Sequence, residues 1–213
     1  MKNDVTVLVT TIRSTILQHP LPAWPGGWPG ESEAAVIDAV CSIQARYGGP
    51  TTGVRRHVHD WRQADPRDTI DDLHQLTAFS QWNATRARPL RSKVSGQLKA
   101  DVIANVAERL AAAGLVHAED LLRDQRAEAI WSGTPGLGYT TWRYVLLLLG
   151  TDTVKPDTML TRYVSRAVGH AATPEQVTAM VTAAADELKM PAHLLDHAIW
   201  SHERRRRATP DPT

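Results

Sequence analysis

Apolar positions recur at helical intervals along almost the whole chain. Val5, Val7, Leu8, Ile12, Ile16 and Leu17 predict a helix over 4–18, opened by Asp4. Residues 5–10 are the one stretch with strand-like character. Pro20 to Gly30 holds four prolines and three glycines in eleven residues and reads as a connector. Ala34, Ala35, Ile37, Ala39, Val40, Ile43 and Tyr47 give residues 31–47 an apolar stripe, stopped by Gly48, Gly49 and Pro50. Helices follow at 53–63 and 69–81, broken at Ala64-Asp65-Pro66, with Asp68 or Thr69 as a cap for the second. Residues 98–113 are amphipathic, with Leu98, Val102, Ile103, Val106, Leu110 and Ala113 on one face and Gly114 as the stop.

Residues 118–131 form one helix or two short turns, and residues 132–138 a turn. Residues 139–149 include Val145 to Leu149 and predict a buried helix. Pro156 and Asp157 open a helix to about Val168. Thr173-Pro174 opens another, and Met190-Pro191 the last, which runs into Arg204 to Arg207 and a Pro-rich tail. The pattern is all-α, with about ten helices.

Composition narrows the chemistry. The chain has 213 residues, with 24 Lys+Arg against 23 Asp+Glu and a net charge of +1, so it is not coated in basic residues. One cysteine, Cys41, excludes a disulfide framework and any four-thiolate zinc or iron–sulfur site built from this chain alone. It fits a reducing, cytoplasmic compartment. The longest apolar run, Val145 to Leu149, is far shorter than the ~20 residues a bilayer requires, so no membrane partner is expected. His57 and His59 lack a surrounding ligand set, and no metal site is predicted. Trp28, Trp61, Trp82, Trp131, Trp142 and Tyr139 are split between core and pocket roles, with core favoured.

Two segments carry candidate chemistry. In Thr134-Pro135-Gly136-Leu137-Gly138-Tyr139-Thr140-Thr141-Trp142 a short helix meets a glycine-rich turn and a second helix starts at once. This is either a tight connection between helices or an anion site. The first amides of the second helix lack intrahelical partners, and a phosphate could sit near Gly136, Gly138 and Thr140. In Lys155-Pro156-Asp157-Thr158-Met159-Leu160, Asp157 opens a helix and alone reads as an N-cap. It follows Gly138 by 19 residues, across one helix and a loop, so the chain can return it to the turn.

These residues resemble the helix-hairpin-helix DNA glycosylase superfamily, of the endonuclease III type. Its hairpin, roughly L-P-G-[VI]-G, is matched by Thr134 to Gly138, and its V-D-T-H-x-x-R segment by Lys155 to Arg162. Ser42-Ile43-Gln44 resembles the family's S-x-Q, and Lys99-Ala100 its K-A. All four occur in the family's order across residues 31–166.

The resemblance implies two helical lobes with a DNA-binding cleft and the hairpin at their junction. One lobe spans 31–149, and the other combines 1–30 with 150–213. Asp157 would be the catalytic carboxylate, stabilising the sugar cation as the N-glycosidic bond breaks. Gly136, Leu137, Gly138, Thr140, Gln44 and Lys155 would contact DNA, with Gln44 filling the space left by the flipped base. Tyr139 and Trp142 are candidate base-pocket residues.

Departures from the family sharpen this. The lysine that gives some members strand-cleaving activity stands two residues after the last hairpin glycine, where this chain has Thr140. Lys155 could substitute, but a phosphate contact fits it better. The family's C-terminal four-cysteine motif is missing, so no cofactor is expected. Met159 replaces a frequent histidine.

Arg86, Arg88, Arg91 and Lys93 lie in an acid-free stretch that tracks a DNA backbone or forms a solvated loop. Arg204 to Arg207 read as a solvated or nonspecifically binding tail. Asp196-His197 read as a polar contact between lobes. The expectation is a monofunctional glycosylase, nucleoid-associated, acting on double-stranded DNA with a damaged or modified base and needing no obligate protein partner. The rival is a noncatalytic DNA-binding protein that uses the hairpin as a phosphate clamp.

Overall fold

The computed structural model describes residues 2–45, 47–49 and 52–208, with the side chains of Arg207 and Ala208 excepted. Pro50, the Arg207 side chain and the Pro-rich tail beyond 208 lie outside the described residues. The protein is all-α, with twelve helices and one two-stranded ribbon among the described residues. It divides into two compact units, residues 27–150 and residues 1–26 with 151–213.

The unit 27–150 is built on α2 (Ser32–Cys41), in which every residue is buried. A helix buried on all sides belongs at the centre of a core. Around it stand α3 (Gly53–Ala64), α4 (Leu73–Leu76), α5 (Phe79–Thr85), α6 (Lys99–Ala112), α7 (Ala118–Arg123), α8 (Arg126–Ser132) and α9 (Tyr139–Leu148). α2 packs on α3, α4, α6 and α9, and α6 packs on α4, α5 and α8. The amphipathic face of α6 supplies Val102, Ile103, Val106, Ala107 and Leu110.

Two acids are buried inside α2. Glu33 accepts from Trp61 Nε1 at 2.6 Å, from Arg67 Nη1 and Nη2 at 3.0 and 2.9 Å, and from the Asp72 N–H at 3.0 Å. Asp38 accepts from Trp28 Nε1 at 2.9 Å, Tyr47 Oη at 2.7 Å and Tyr144 Oη at 3.1 Å. Buried carboxylates persist only with such partners.

Three elements differ from the sequence pattern. The helix predicted over 31–47 ends at Cys41, because Lys99 Nζ is buried and donates to the carbonyls of Cys41, at 3.0 Å, and Ile43. It takes up carbonyls that a further turn of helix would have used. The helix predicted over 69–81 is two short ones, α4 and α5. The cap is Asp72, whose side chain accepts the His74 N–H, in place of Asp68 or Thr69. An unpredicted ribbon, β1 (Lys93–Val94) with β2 (Gln97–Leu98), is antiparallel, with Lys93 opposite Leu98. Its Ser95-Gly96 turn has both φ angles positive, at 49° and 81°, the geometry that suits a two-residue hairpin.

The second unit holds α1 (Lys2–Thr15), α10 (Thr158–Val168), α11 (Pro174–Leu188) and α12 (Ala192–Ala208). Leu8, Val9, Ile12, Leu160, Val164, Val177, Val181, Leu195 and Ile199 form its core. Thr173 and Gln176 close a reciprocal cap at the start of α11. Tyr163 reaches Thr15 at 2.7 Å, and Arg166 pairs with the buried Glu203 at 2.5 Å.

Removing the Glu33 carboxylate strands Trp61 Nε1 and the Asp72 N–H in the core. Glu33→Ala is expected to lower stability by about 3 kcal/mol, measured by urea unfolding followed by tryptophan fluorescence.

Candidate functional site

The glycine-rich turn is set by its own hydrogen bonds. The Thr134 N–H donates to Trp131 O at 3.0 Å and the Leu137 N–H to Thr134 O at 3.0 Å. Thr141 Oγ1 donates to Gly138 O at 2.8 Å, accepts the Gly138 N–H at 3.0 Å and accepts Trp131 Nε1 at 2.9 Å. One hydroxyl therefore fastens the end of α8 to the start of α9. Arg109 Nη1, from α6, donates to Thr134 Oγ1 at 2.6 Å and holds the other side of the turn. Leu137 is buried beneath it.

The two glycines differ in kind. Gly136 has φ +89°, and a Cβ there would stand 2.9 Å from Val94 Cγ2 of the ribbon. It is required by backbone angle and by packing. Gly138 is extended, with φ −175°, and a Cβ there would meet nothing within 4 Å. Nothing in the described protein requires glycine at 138. What glycine leaves there is an open approach to the first turn of α9, the positive end of the helix dipole. Tyr139 and Thr140, the first residues of α9, are half-buried. Trp142 is 3% exposed and packs against Trp131 at 6.0 Å between ring centroids. It is a core side chain in this unit and presents little surface to a base.

Gln44 stands on the turn after α2 and is exposed. Its φ of +49° puts a non-glycine residue in the left-handed region. Such strain of roughly 1–2 kcal/mol persists where the surroundings impose it. Here Lys99, gripping Cys41 O and Ile43 O, is what imposes it. Nothing local in the sequence around Gln44 signals this grip, because Lys99 lies 56–58 residues beyond the carbonyls it holds.

A cavity of about 260 Å³ opens nearby, lined in part by Cys41, Ala45, Arg56 and His57. Burial pushes the Cys41 thiol up to about 12 and holds His57 down to about 4, with Arg86 and Arg56 contributing to the latter. Cys41 is therefore a thiol and no nucleophile at neutral pH.

In the other unit, Asp157 is the N-cap of α10. Its Oδ1 accepts the N–H of Met159 at 2.7 Å and of Leu160 at 3.1 Å. The carboxylate is half-buried, and both these bonds use one oxygen. The Asp157 N–H donates to Lys155 O at 2.7 Å across the buried Pro156, a tight turn that sets the angle of entry into α10. Lys155 is half-buried. Its N–H donates to Asp196 Oδ2 at 2.5 Å. His197 is hydrogen-bonded to the main chain of Ala23. Lys155 and Ala23, the partners of Asp196 and His197 here, belong to the same unit as they do.

The basic stretch divides. Arg86 is bound to Asp60 and lies 4.6 Å over Trp82, so it is structural. Arg88, Arg91 and Lys93 are exposed. Arg204 lies 5.2 Å over Trp200, and Arg205 and Arg206 are exposed on α12. Among the described residues there is no group of three or more His, Cys, Asp or Glu able to hold a metal ion. No helix among them is long and apolar enough to cross a membrane.

The contrast between the two glycines is open to measurement. Gly136→Ala is expected to cost about 1–2 kcal/mol through its left-handed backbone, and more if Val94 cannot yield. Gly138→Ala is expected to cost less than about 1 kcal/mol, the usual penalty of alanine at an N-cap. Urea unfolding of the two variants checks the order.

The profile of a family described as "Domain of unknown function (DUF8548)" matches residues 15–204. The chain belongs to that family. No curated protein matches it.

Proposed function

We propose that this member of the DUF8548 family is a monofunctional DNA glycosylase, one that hydrolyses the N-glycosidic bond of a flipped base and leaves an abasic site. The observation that carries the reading is Asp157. Its carboxylate is fixed at a helix start through one oxygen, behind a short turn that sets its position. As the base departs with the bonding electrons, positive charge grows on the sugar. A pre-oriented carboxylate lowers that transition state more than the ground state. Water then adds to the cation and loses a proton. The departed base, which took the bonding electrons, gains one, so the products are an abasic sugar and the neutral free base.

The glycine turn supports the DNA side of this reading. Main-chain N–H groups and an unobstructed Gly138 suit a phosphate, whichever base is attached. Leu137 is packed beneath the turn, so a contact there would come from its main chain. Gln44 is exposed on a strained turn, a posture that suits insertion into a duplex. Thr140 stands where a lyase would carry its amine, which favours hydrolysis alone. The substrate is double-stranded DNA with a damaged base, or a deliberately modified base of phage DNA, and the setting is the cytoplasm.

A second reading has an observation of its own. Asp157 serves α10 as an N-cap, which a noncatalytic DNA-binding protein would also need.

Asp157→Asn separates the two, because asparagine caps a helix about as well as aspartate. The glycosylase reading expects excision to fall about 100-fold or more while duplex affinity changes less than about twofold. The measurement is base release from duplexes carrying uracil, oxidised, alkylated or bulky modified bases, followed by alkali. Wild-type protein that binds these duplexes yet releases no base would establish the second reading. Gly138→Ala is expected to weaken duplex binding about tenfold, or about 1.4 kcal/mol by fluorescence anisotropy, without unfolding the protein.

A further inference from the structure

The loop that delivers Asp157 is fastened at both ends to the first turns of α12. His193 donates its N–H to Asp152 Oδ1 at 3.0 Å, its ring nitrogen Nδ1 stands 2.8 Å from the same oxygen, and Trp24 packs on its ring at 5.2 Å. Three residues along the loop, the Lys155 N–H donates to Asp196 Oδ2 at 2.5 Å. Lys155 O then accepts the Asp157 N–H at 2.7 Å. Two consecutive hydrogen bonds therefore run from the Asp196 side chain to the main chain of Asp157. Thr153, Val154 and Pro156 are buried between these points, so the segment has little room to shift.

We propose that Asp196 is a positioning residue for Asp157: by holding the Lys155 main chain it fixes where the Asp157 carboxylate stands. The proposal rests on the glycosylase reading of Asp157. Asp196 itself touches no substrate, and it acts through the loop.

Asp196 is an unusual anchor because it is a buried acid. Burial pushes its carboxyl up to about 8. The charge of Asp157 raises it too, while the Lys155 N–H and the Lys155 ammonium lower it. The groups facing it are thus Lys155 and Asp157 of the loop. On α12 itself His193 is taken by Asp152, and His197 by the Ala23 main chain. The charged side chain of Arg166 on α10 is taken by Glu203, two turns further along α12. At neutral pH Asp196 is a neutral acid, so it anchors the loop without placing a second negative charge beside Asp157. As pH rises through about 8 this carboxyl is expected to ionise, which disfavours its buried position.

The sign of the linkage is fixed by the raised value. Between pH 4 and 8 the folded protein holds one proton more than the unfolded chain. Stability from this group is fully present below about pH 4 and is lost as pH rises to about 8, by up to about tenfold in the unfolding equilibrium per pH unit.

The test compares Asp196→Asn and Asp196→Ala in the full-length protein. Asparagine keeps an acceptor for Lys155 and cannot ionise. Asp196→Asn is expected to keep kcat within about twofold at pH 7, to lose the wild-type decline above pH 8, and to flatten stability between pH 4 and 8. Asp196→Ala is expected to lower kcat about tenfold with duplex affinity unchanged, and to speed amide exchange at 155–160 in mass-spectrometric hydrogen exchange. An Asp196→Ala protein with wild-type kcat and wild-type exchange overturns the proposal. So does an Asp196→Asn protein that retains the alkaline decline. No excision by the wild type, or full excision by Asp157→Asn, overturns the glycosylase reading and takes this proposal with it.

Discussion

Placing two carboxylates in one fully buried ten-residue helix constrains everything around it in the unit 27–150. Each acid would be strongly destabilising alone, so each must recruit donors, and the donors come from far along the chain. Glu33 draws in α3 through Trp61 and the segment before α4 through Arg67 and Asp72. Asp38 draws in the connector through Trp28, the post-α2 segment through Tyr47 and α9 through Tyr144. Burial and the Asp38 charge push both phenols upward, so they remain donors throughout the physiological range. α9 is the helix whose first turn forms the glycine-rich site. The same acid that satisfies the centre of the core therefore also fixes the helix that would meet a phosphate.

The end of α2 repeats this logic with opposite charge. Lys99 is buried, and burial lowers its ammonium below the usual value. The carbonyls at Cys41 and Ile43 compensate, and in return the chain is forced out of helix into the strained turn that exposes Gln44. Cations suit helix C-termini in any case, because unsatisfied carbonyls and the helix dipole gather there.

This explains which features were readable from sequence. The all-α class, α6 with Gly114 behind it, the turn at 132–138 and the caps at Asp157 and Thr173 follow from local periodicity and local capping chemistry. The end of α2 did not, because Ile43 and Tyr47 continue its apolar stripe while the residue that stops it stands 58 positions away from Cys41. The ribbon at 93–98 is two residues per strand, too short for alternation to register. Its one local sign was Ser95-Gly96. α4 and α5 share one apolar pattern and part at Thr77-Ala78, where no proline or glycine marks the break. At the candidate site, Asp157 as a helix cap and Gly138 as part of a turn were visible locally, whereas Asp196 and Lys99 make their hydrogen bonds across 41 and 56–58 residues.

The near-zero net charge acquires a physical meaning from this arrangement. A protein that grips DNA with side-chain cations needs many of them and becomes strongly salt-sensitive. Here Arg86 is committed to Asp60 and Trp82, Lys99 to α2, Arg67 to Glu33 and Arg166 to Glu203. These four cations are engaged in the fold, and under the proposed function recognition at the turn would rest on main-chain donors. Such donors are indifferent to base identity, and so is a carboxylate that answers charge on a sugar. Under the proposed function, specificity for one base must come from side chains other than these. Under the proposed function, the turn that would meet the backbone and the carboxylate that would answer the sugar belong to separate units, each with its own apolar core.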